Sequence, residues 1–285
     1  MRGPIGWQVS PNGPAHLNEC TPSEPEEDNT LWAEHEPFTA PKDEEGDVEM
    51  AILADQAAVE NEANQWGKLW NENSEYRSPF GPPPNEHFMP LMPMAVRDAA
   101  DSFPINTALG CDNVAPKAYG RLSEEAIHAL IALFLAFEKS GQWPKVAYLV
   151  LIVLLPKKTG GRRPIGLFPT MVRIWMRARI IVARTWEAAN AMPTVFGGAG
   201  MGAQKAAWQA AFDSESAALT GTHHAQSLLD LVKAFETVPH EVLARAAERA
   251  GYNMVILRLS IAAYRLLRVL SIEGVFSRPI RATRA

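Results

Sequence analysis

Apolar positions recur at helical spacing over residues 48–70 (Met50, Leu53, Ala57, Ala63, Trp66, Leu69, Trp70), and the spacing predicts a helix ending in two tryptophans. Breaker-rich stretches follow, Ser78-Pro-Phe-Gly-Pro-Pro-Pro84 and Met89-Pro-Leu-Met-Pro93, and the folded body is expected to begin near Met94. Ser123 with Glu124 and Glu125 marks a helix start, and Ile127, Leu130, Ile131, Phe134 and Phe137 recur until Gly141 and Pro144 close the element. Residues 148–155, rich in Val, Leu and Ile, predict a buried strand, and residues 165–168 a returning one, so the two form a hairpin. Residues 170–191 predict a helix with Met171, Ile174, Trp175, Ala178, Val182 and Trp186 on one side and Arg173, Arg177 and Arg184 on the other. A further helix is predicted over 204–219, a strand over 226–232, helices over 240–250 and 254–270, and an extended end over 274–280.

Composition adds a division between the two ends. Residues 1–100 carry 5 Lys/Arg against 19 Asp/Glu, net −14, whereas residues 101–285 carry 22 against 13, net +9. A basic body points to a polyanionic partner such as nucleic acid, and an acidic arm to a solvated segment. Residues 1–50, rich in Pro, Glu, Asp and Asn without a sustained hydrophobic period, are expected to be mostly disordered. Two cysteines, Cys20 and Cys111, make no disulfide framework, and no apolar h-region follows Arg2, so an intracellular, non-secreted protein is expected, in nucleus or cytoplasm. The apolar run over 146–155 is ten residues long, far short of a membrane span, and no membrane partner is expected.

Two places carry candidate chemistry. Lys157-Lys-Thr-Gly-Gly-Arg-Arg-Pro164 gathers four cations around a Gly160-Gly161 tip beside the arginine-bearing helix, a surface suited to phosphates. Asp230 interrupts the apolar strand pattern of 226–232, and a buried Asp needs a partner. On residue pattern alone it is either a catalytic carboxylate at a strand end or the cap of the segment that follows. Gly198-Ala-Gly-Met-Gly-Ala203 formally satisfies a dinucleotide-binding fingerprint, but Pro193 leaves room for only three residues of preceding strand, so a loop is expected instead.

The stretch Leu155-Pro-Lys-Lys-Thr-Gly-Gly-Arg-Arg-Pro-Ile-Gly-Leu167 resembles the fingers motif of reverse transcriptases, and Leu229-Asp-Leu-Val-Lys-Ala-Phe-Glu-Thr-Val-Pro-His240 resembles their first palm motif. Both are most similar to non-LTR (LINE-type) retrotransposon enzymes. Leu109-Gly-Cys-Asp-Asn-Val-Ala-Pro-Lys117 and Gly141-Gln-Trp-Pro144 match two further elements upstream, so the resemblance covers residues 95–285. It implies an α+β fold: the mostly helical fingers and partial palm of a right-hand polymerase with a short antiparallel hairpin. Residues 94–285 would form this domain, preceded by an acidic, largely disordered region over 1–93 that contains the 48–70 helix.

The resemblance further implies roles. Asp230 would be the catalytic carboxylate and a ligand of Mg²⁺ (or Mn²⁺), assisted by the Leu231 carbonyl. Lys157, Arg163 and Phe235 would bind the incoming dNTP, Phe235 as a gate under the sugar. Lys158, Arg162, Arg173, Arg177 and Arg184 would contact an RNA/DNA template-primer. Glu236 stands where the family usually has a second Asp, and the family's later aromatic-x-Asp-Asp motif has no counterpart, because no Asp-Asp dipeptide occurs in the sequence. A truncated domain without polymerase activity alone is therefore expected, marginally stable where the Asp230 strand lacks neighbours. Two alternatives stand beside it: a non-catalytic nucleic-acid-binding or interaction protein derived from a reverse transcriptase, and an acidic arm that itself binds a partner.

Overall fold

Glu138, in the last turn of an amphipathic helix, has its carboxylate in the protein interior among apolar neighbours. The computed structural model describes residues 45–81, 90–158, 160–198 and 200–284, with side chains from Asp55 onward. The acidic stretch over 1–44, including Cys20, and residues 82–89 of the Pro-rich linker lie outside the described residues. Packing divides the chain at Val48, and the unit described below is Glu49–Ala285.

Among the described residues nine α-helices and four strands follow one another. They are α1 (Glu45–Leu69), α2 (Pro93–Asp101), α3 (Pro116–Gly120), α4 (Glu124–Ser140), β1 (Leu149–Pro156), β2 (Arg162–Leu167), α5 (Thr170–Ala178), α6 (Ile180–Ala189), α7 (Ala203–Thr220), α8 (His240–Arg249), α9 (Met254–Tyr264), β3 (Leu267–Ile272) and β4 (Val275–Phe276). The strands form one mixed sheet in the order β2-β1-β3-β4, antiparallel at its two outer pairs and parallel between β1 and β3. The fold is α+β, as expected.

Strand alternation decides which face is covered. Val150, Ile152 and Leu154 of β1 point one way and are buried with Leu270, Ile272 and Ile280 against Val59, Ala63, Trp66 and Trp70 of the α1 segment. Those four residues fall at i, i+4, i+7 and i+11, the stripe of an amphipathic helix. The helix expected within the N-terminal region is therefore a packed layer of the body.

A second core lies between helices. Ser123 caps α4 by accepting from the Ala126 N–H, and Gly141 ends it in the left-handed conformation at φ 66°. Ile127, Leu130, Ile131 and Phe134 of α4 pack with Ile174 and Trp175 of α5 and Leu259 of α9. Each such side chain contributes about 1.5–3 kcal/mol on burial. The Glu138 carboxylate sits within this core, accepting from Arg179 Nε and Nη2 and from Trp175 Nε1, all at 2.7 Å. Both charged groups are buried, and the bidentate fork plus the indole satisfies the carboxylate.

Three expectations are corrected. The helix over 170–191 is two helices, α5 and α6, broken at Arg179, whose guanidinium is drawn into the core by Glu138. The helix expected over 254–270 ends at Tyr264, and Leu267–Ile272 is β3, because the free edge of β1 offers this apolar run a parallel partner. The strand expected over 226–232 is absent: the segment is irregular, with Leu228, Leu229, Leu231 and Val232 all 72–88% exposed. An apolar run becomes a strand only with a ladder partner, and among the described residues the four strands pair with one another.

Arg179→Met leaves the Glu138 charge buried and is expected to cost about 3–5 kcal/mol. Urea unfolding followed by tryptophan fluorescence measures this; a loss below 1 kcal/mol would show that the pair does not hold the helical core.

Candidate functional site

The cationic turn is built by two glycines. Gly160 and Gly161 both have positive φ, 88° and 77°, and the turn closes with Lys157 N–H donating to the Gly161 carbonyl at 3.0 Å. This is the backbone that a tight hairpin between twisted strands requires. Register places Arg163 opposite Leu155 and Arg162 opposite Pro156, so the two arginines point to opposite faces. Arg162 turns to α1 and pairs with Glu62 at 3.1 Å. Lys157, Lys158 and Arg163 are exposed and have no carboxylate partner among the described residues.

The arginines of the following helices divide differently from the expected single face. Arg173 donates to the Ala108 carbonyl at 2.7 Å, and Arg177 to the carbonyl and hydroxyl of Ser102 at 2.7 and 2.6 Å. Both lie over the Phe103 ring, at 4.9 and 3.6 Å from its centroid. Burial and the neighbouring Arg177 lower the Arg173 pKa. These two guanidiniums fasten the loop after α2 to α5, and Arg184 alone of the three is exposed.

Motif residues upstream act as braces. Asp112 accepts from the Thr170 N–H at 2.5 Å, satisfying an orphan donor in the first turn of α5, where Pro169 supplies no side-chain cap. Thr170 Oγ1 donates to the Val114 carbonyl at 2.6 Å. A Cβ at Gly110 would collide with the Phe168 carbonyl, so only glycine lets the two segments meet here. Trp143 donates its indole N–H to the Leu259 carbonyl at 3.0 Å and packs edge-on against Trp175 at 5.4 Å.

Asp230 stands in the irregular exposed segment, with Leu231 and Phe235 exposed beside it at 72% and 85%. The chain then turns through Lys233, at φ 49°, whose ammonium lies 3.9 Å from the Trp66 ring centroid, into a 3-10 turn over Phe235–Thr237. Asp230 makes no ion pair or hydrogen bond among the described residues, and no group of three or more His, Cys, Asp or Glu side chains is arranged there to hold a metal ion. The residues present do not fit a two-metal carboxylate site, because one exposed carboxylate cannot fix divalent cations in line with a reacting phosphate. The structure thus groups the hairpin cations together and leaves Asp230, Leu231 and Phe235 outside any enclosed site.

His240 was not singled out by the sequence. It is 1% exposed, with neither ring nitrogen hydrogen-bonded, between Tyr76 and Tyr264 at 6.5 and 6.4 Å. Burial first, then the charges of Arg268 and Arg265, lowers its pKa to about 4. Arg268, itself buried, donates to the carbonyls of Tyr264 and Arg284 and stacks over Trp70 at 4.4 Å. No family model matches the sequence, and no curated protein matches it.

Two outcomes are expected. Asp112→Ala removes the borrowed cap of α5 and costs about 1 kcal/mol in chemical denaturation, with an unchanged midpoint counting against that brace. His240, at about 4 folded against an ordinary 6.5, refuses a proton that the unfolded chain takes up, so stability is full above pH 6.5 and falls as pH drops toward 4. The limiting slope is about 1.4 kcal/mol per pH unit. Thermal melts across this window should show a slope that His240→Gln flattens; equal slopes would remove His240 as its source.

Proposed function

We propose that the chain is a reverse-transcriptase-like domain of retrotransposon origin, comprising fingers and the first part of the palm, which binds nucleic acid without polymerising it alone. The observation that carries this reading is the β1–β2 hairpin: it presents Lys157, Lys158 and Arg163 at a glycine turn without a carboxylate partner among the described residues, while the neighbouring Arg162 is tied to Glu62. Exposed charges at the tip of a hairpin suit the oxygens of a phosphodiester or triphosphate, where Arg binds through two donors and Lys as a point charge. Arg184 on α6 is a further exposed cation.

On this reading Asp230 is one Mg²⁺ ligand by descent, and Phe235 a sugar-facing residue by descent. Among the described residues no group of three or more His, Cys, Asp or Glu side chains gathers at Asp230.

Primer extension on an RNA template with Mg²⁺ or Mn²⁺ is expected to yield no product, and DNA synthesis by this chain alone would sink the non-polymerising half of the proposal. Fluorescence polarisation with labelled single-stranded RNA tests the binding half. Lys157→Ala combined with Arg163→Ala should weaken binding roughly tenfold and lower the salt slope by about one to two units.

A further inference from the structure

A groove lies at the other end of the sheet from the hairpin. Three contiguous hollows, of about 230, 580 and 670 Å³, all include Tyr76 in their walls. They run from His240 and Arg284, past Arg265 and the Trp143–Tyr148 loop, to Gly141 and Arg258. The middle hollow is lined by Tyr148, which precedes the first residue of β1, and by Leu267, the first residue of the parallel strand β3. The cationic turn follows the last residue of β1, so the eight residues of that strand separate the two places by about 25 Å.

The groove has charge, aromatic surface and unsatisfied donors together. Lys145, Arg258, Arg265, Arg281 and Arg284 line it and have no carboxylate partner among the described residues. Its acids are each already engaged: Glu72 with Arg278 at 2.8 Å, and Glu75 and Glu241 with Arg77 and Arg245 at 3.9 Å. The Arg265 guanidinium stacks 3.3 Å from the Tyr76 ring centroid, and Tyr148 is 58% exposed. At one end the wholly buried imidazole of His240 lines the wall with both nitrogens unpartnered; at the other, the Arg258 Nη1 is buried without an acceptor. Buried donors without acceptors are costly, and a ligand carrying anionic oxygens would supply acceptors for the Arg258 Nη1 and the one N–H of His240.

We propose that this groove binds a single strand of nucleic acid, its phosphates on Arg265, Arg281 and Arg284 and a base on Tyr76, independently of the hairpin. Cations interleaved with aromatic rings distinguish such a strand from an acidic peptide, which has no flat face to stack. His240 is neutral at pH 7 and offers one N–H to a phosphate oxygen while keeping a lone pair. An anion seated there also offsets the adjoining Arg265 and Arg268 charges.

The test uses the full chain already carrying Lys157→Ala and Arg163→Ala, so that hairpin binding and groove binding fail separately. Labelled oligo(U) and oligo(dT) should still bind, and the salt slope of that residual binding should fall by about one unit with each of Arg265→Glu and Arg281→Glu, both at exposed positions. Tyr76→Ala should weaken it about tenfold with the salt slope unchanged. Equal binding of the two oligonucleotides assigns recognition to phosphates and stacking; a preference for one identifies that strand as the occupant. The imidazole resonances of His240 should shift on adding either. No residual binding, or residual binding untouched by the three substitutions in folded protein, overturns the proposal. Displacement by polyglutamate as efficient as by oligo(U) also overturns it in favour of an acidic peptide.

Discussion

Glu138 and Arg179 tie α4 to the junction of α5 and α6 inside the helical core. A carboxylate buried in a helical core is tolerable only if it is paired and well hydrogen-bonded, and here one guanidinium fork and one indole N–H supply three donors. The requirement reaches outward. Trp175 must sit against Glu138, which places Trp143 edge-on to it, and Trp143 in turn holds the start of the loop that feeds β1. Arg179 must leave its helix to reach the pair, which separates α5 from α6. The position of the hairpin thus depends on an ion pair that lies nowhere near it in function.

The residues that look most like a functional signature divide into supports and surfaces. Gly110, Asp112, Gly141 and Trp143 are supports: close approach, borrowed cap, helix stop and indole tether. Arg173 and Arg177 join them through Phe103. The surfaces are Lys157, Lys158 and Arg163, exposed and without a carboxylate partner among the described residues. A motif is therefore a mixture of residues that hold a geometry and residues that use it, and only the contacts separate the two.

What could be read along the chain was local. The α4 stripe with its Ser123 cap, and the hairpin with its two glycines, are specified by residues within a few positions of each other, and both formed as expected. What could not be read needed a distant partner. Leu267–Ile272 continues a helical apolar pattern and becomes a strand only because β1 lies alongside. Residues 226–232 carry a strand pattern and stay irregular for want of such a neighbour. Glu138 meets an arginine 41 residues away, and Arg177 a serine 75 away, so neither could be sorted from solvent-facing charges by spacing. The cationic turn of the candidate site was legible for the same reason the hairpin was; the burial of His240 was not, because Tyr76 on one side and Tyr264 and Arg268 on the other come from two stretches distant from it in the chain.

The parallel pairing of β1 with β3 has a topological consequence. Between them the chain leaves the body after α6, makes α7 without burying one of its residues, and returns at His240. Each strand also carries its own antiparallel neighbour, β2 before the excursion and β4 after it. A single backbone cut within residues 203–232 would divide the polypeptide while leaving both flanks of the sheet zipped to each other and α4 seated on α9. The molecule is in this sense a split protein already joined: two complementary fragments whose shared sheet, rather than the chain between them, keeps them in register.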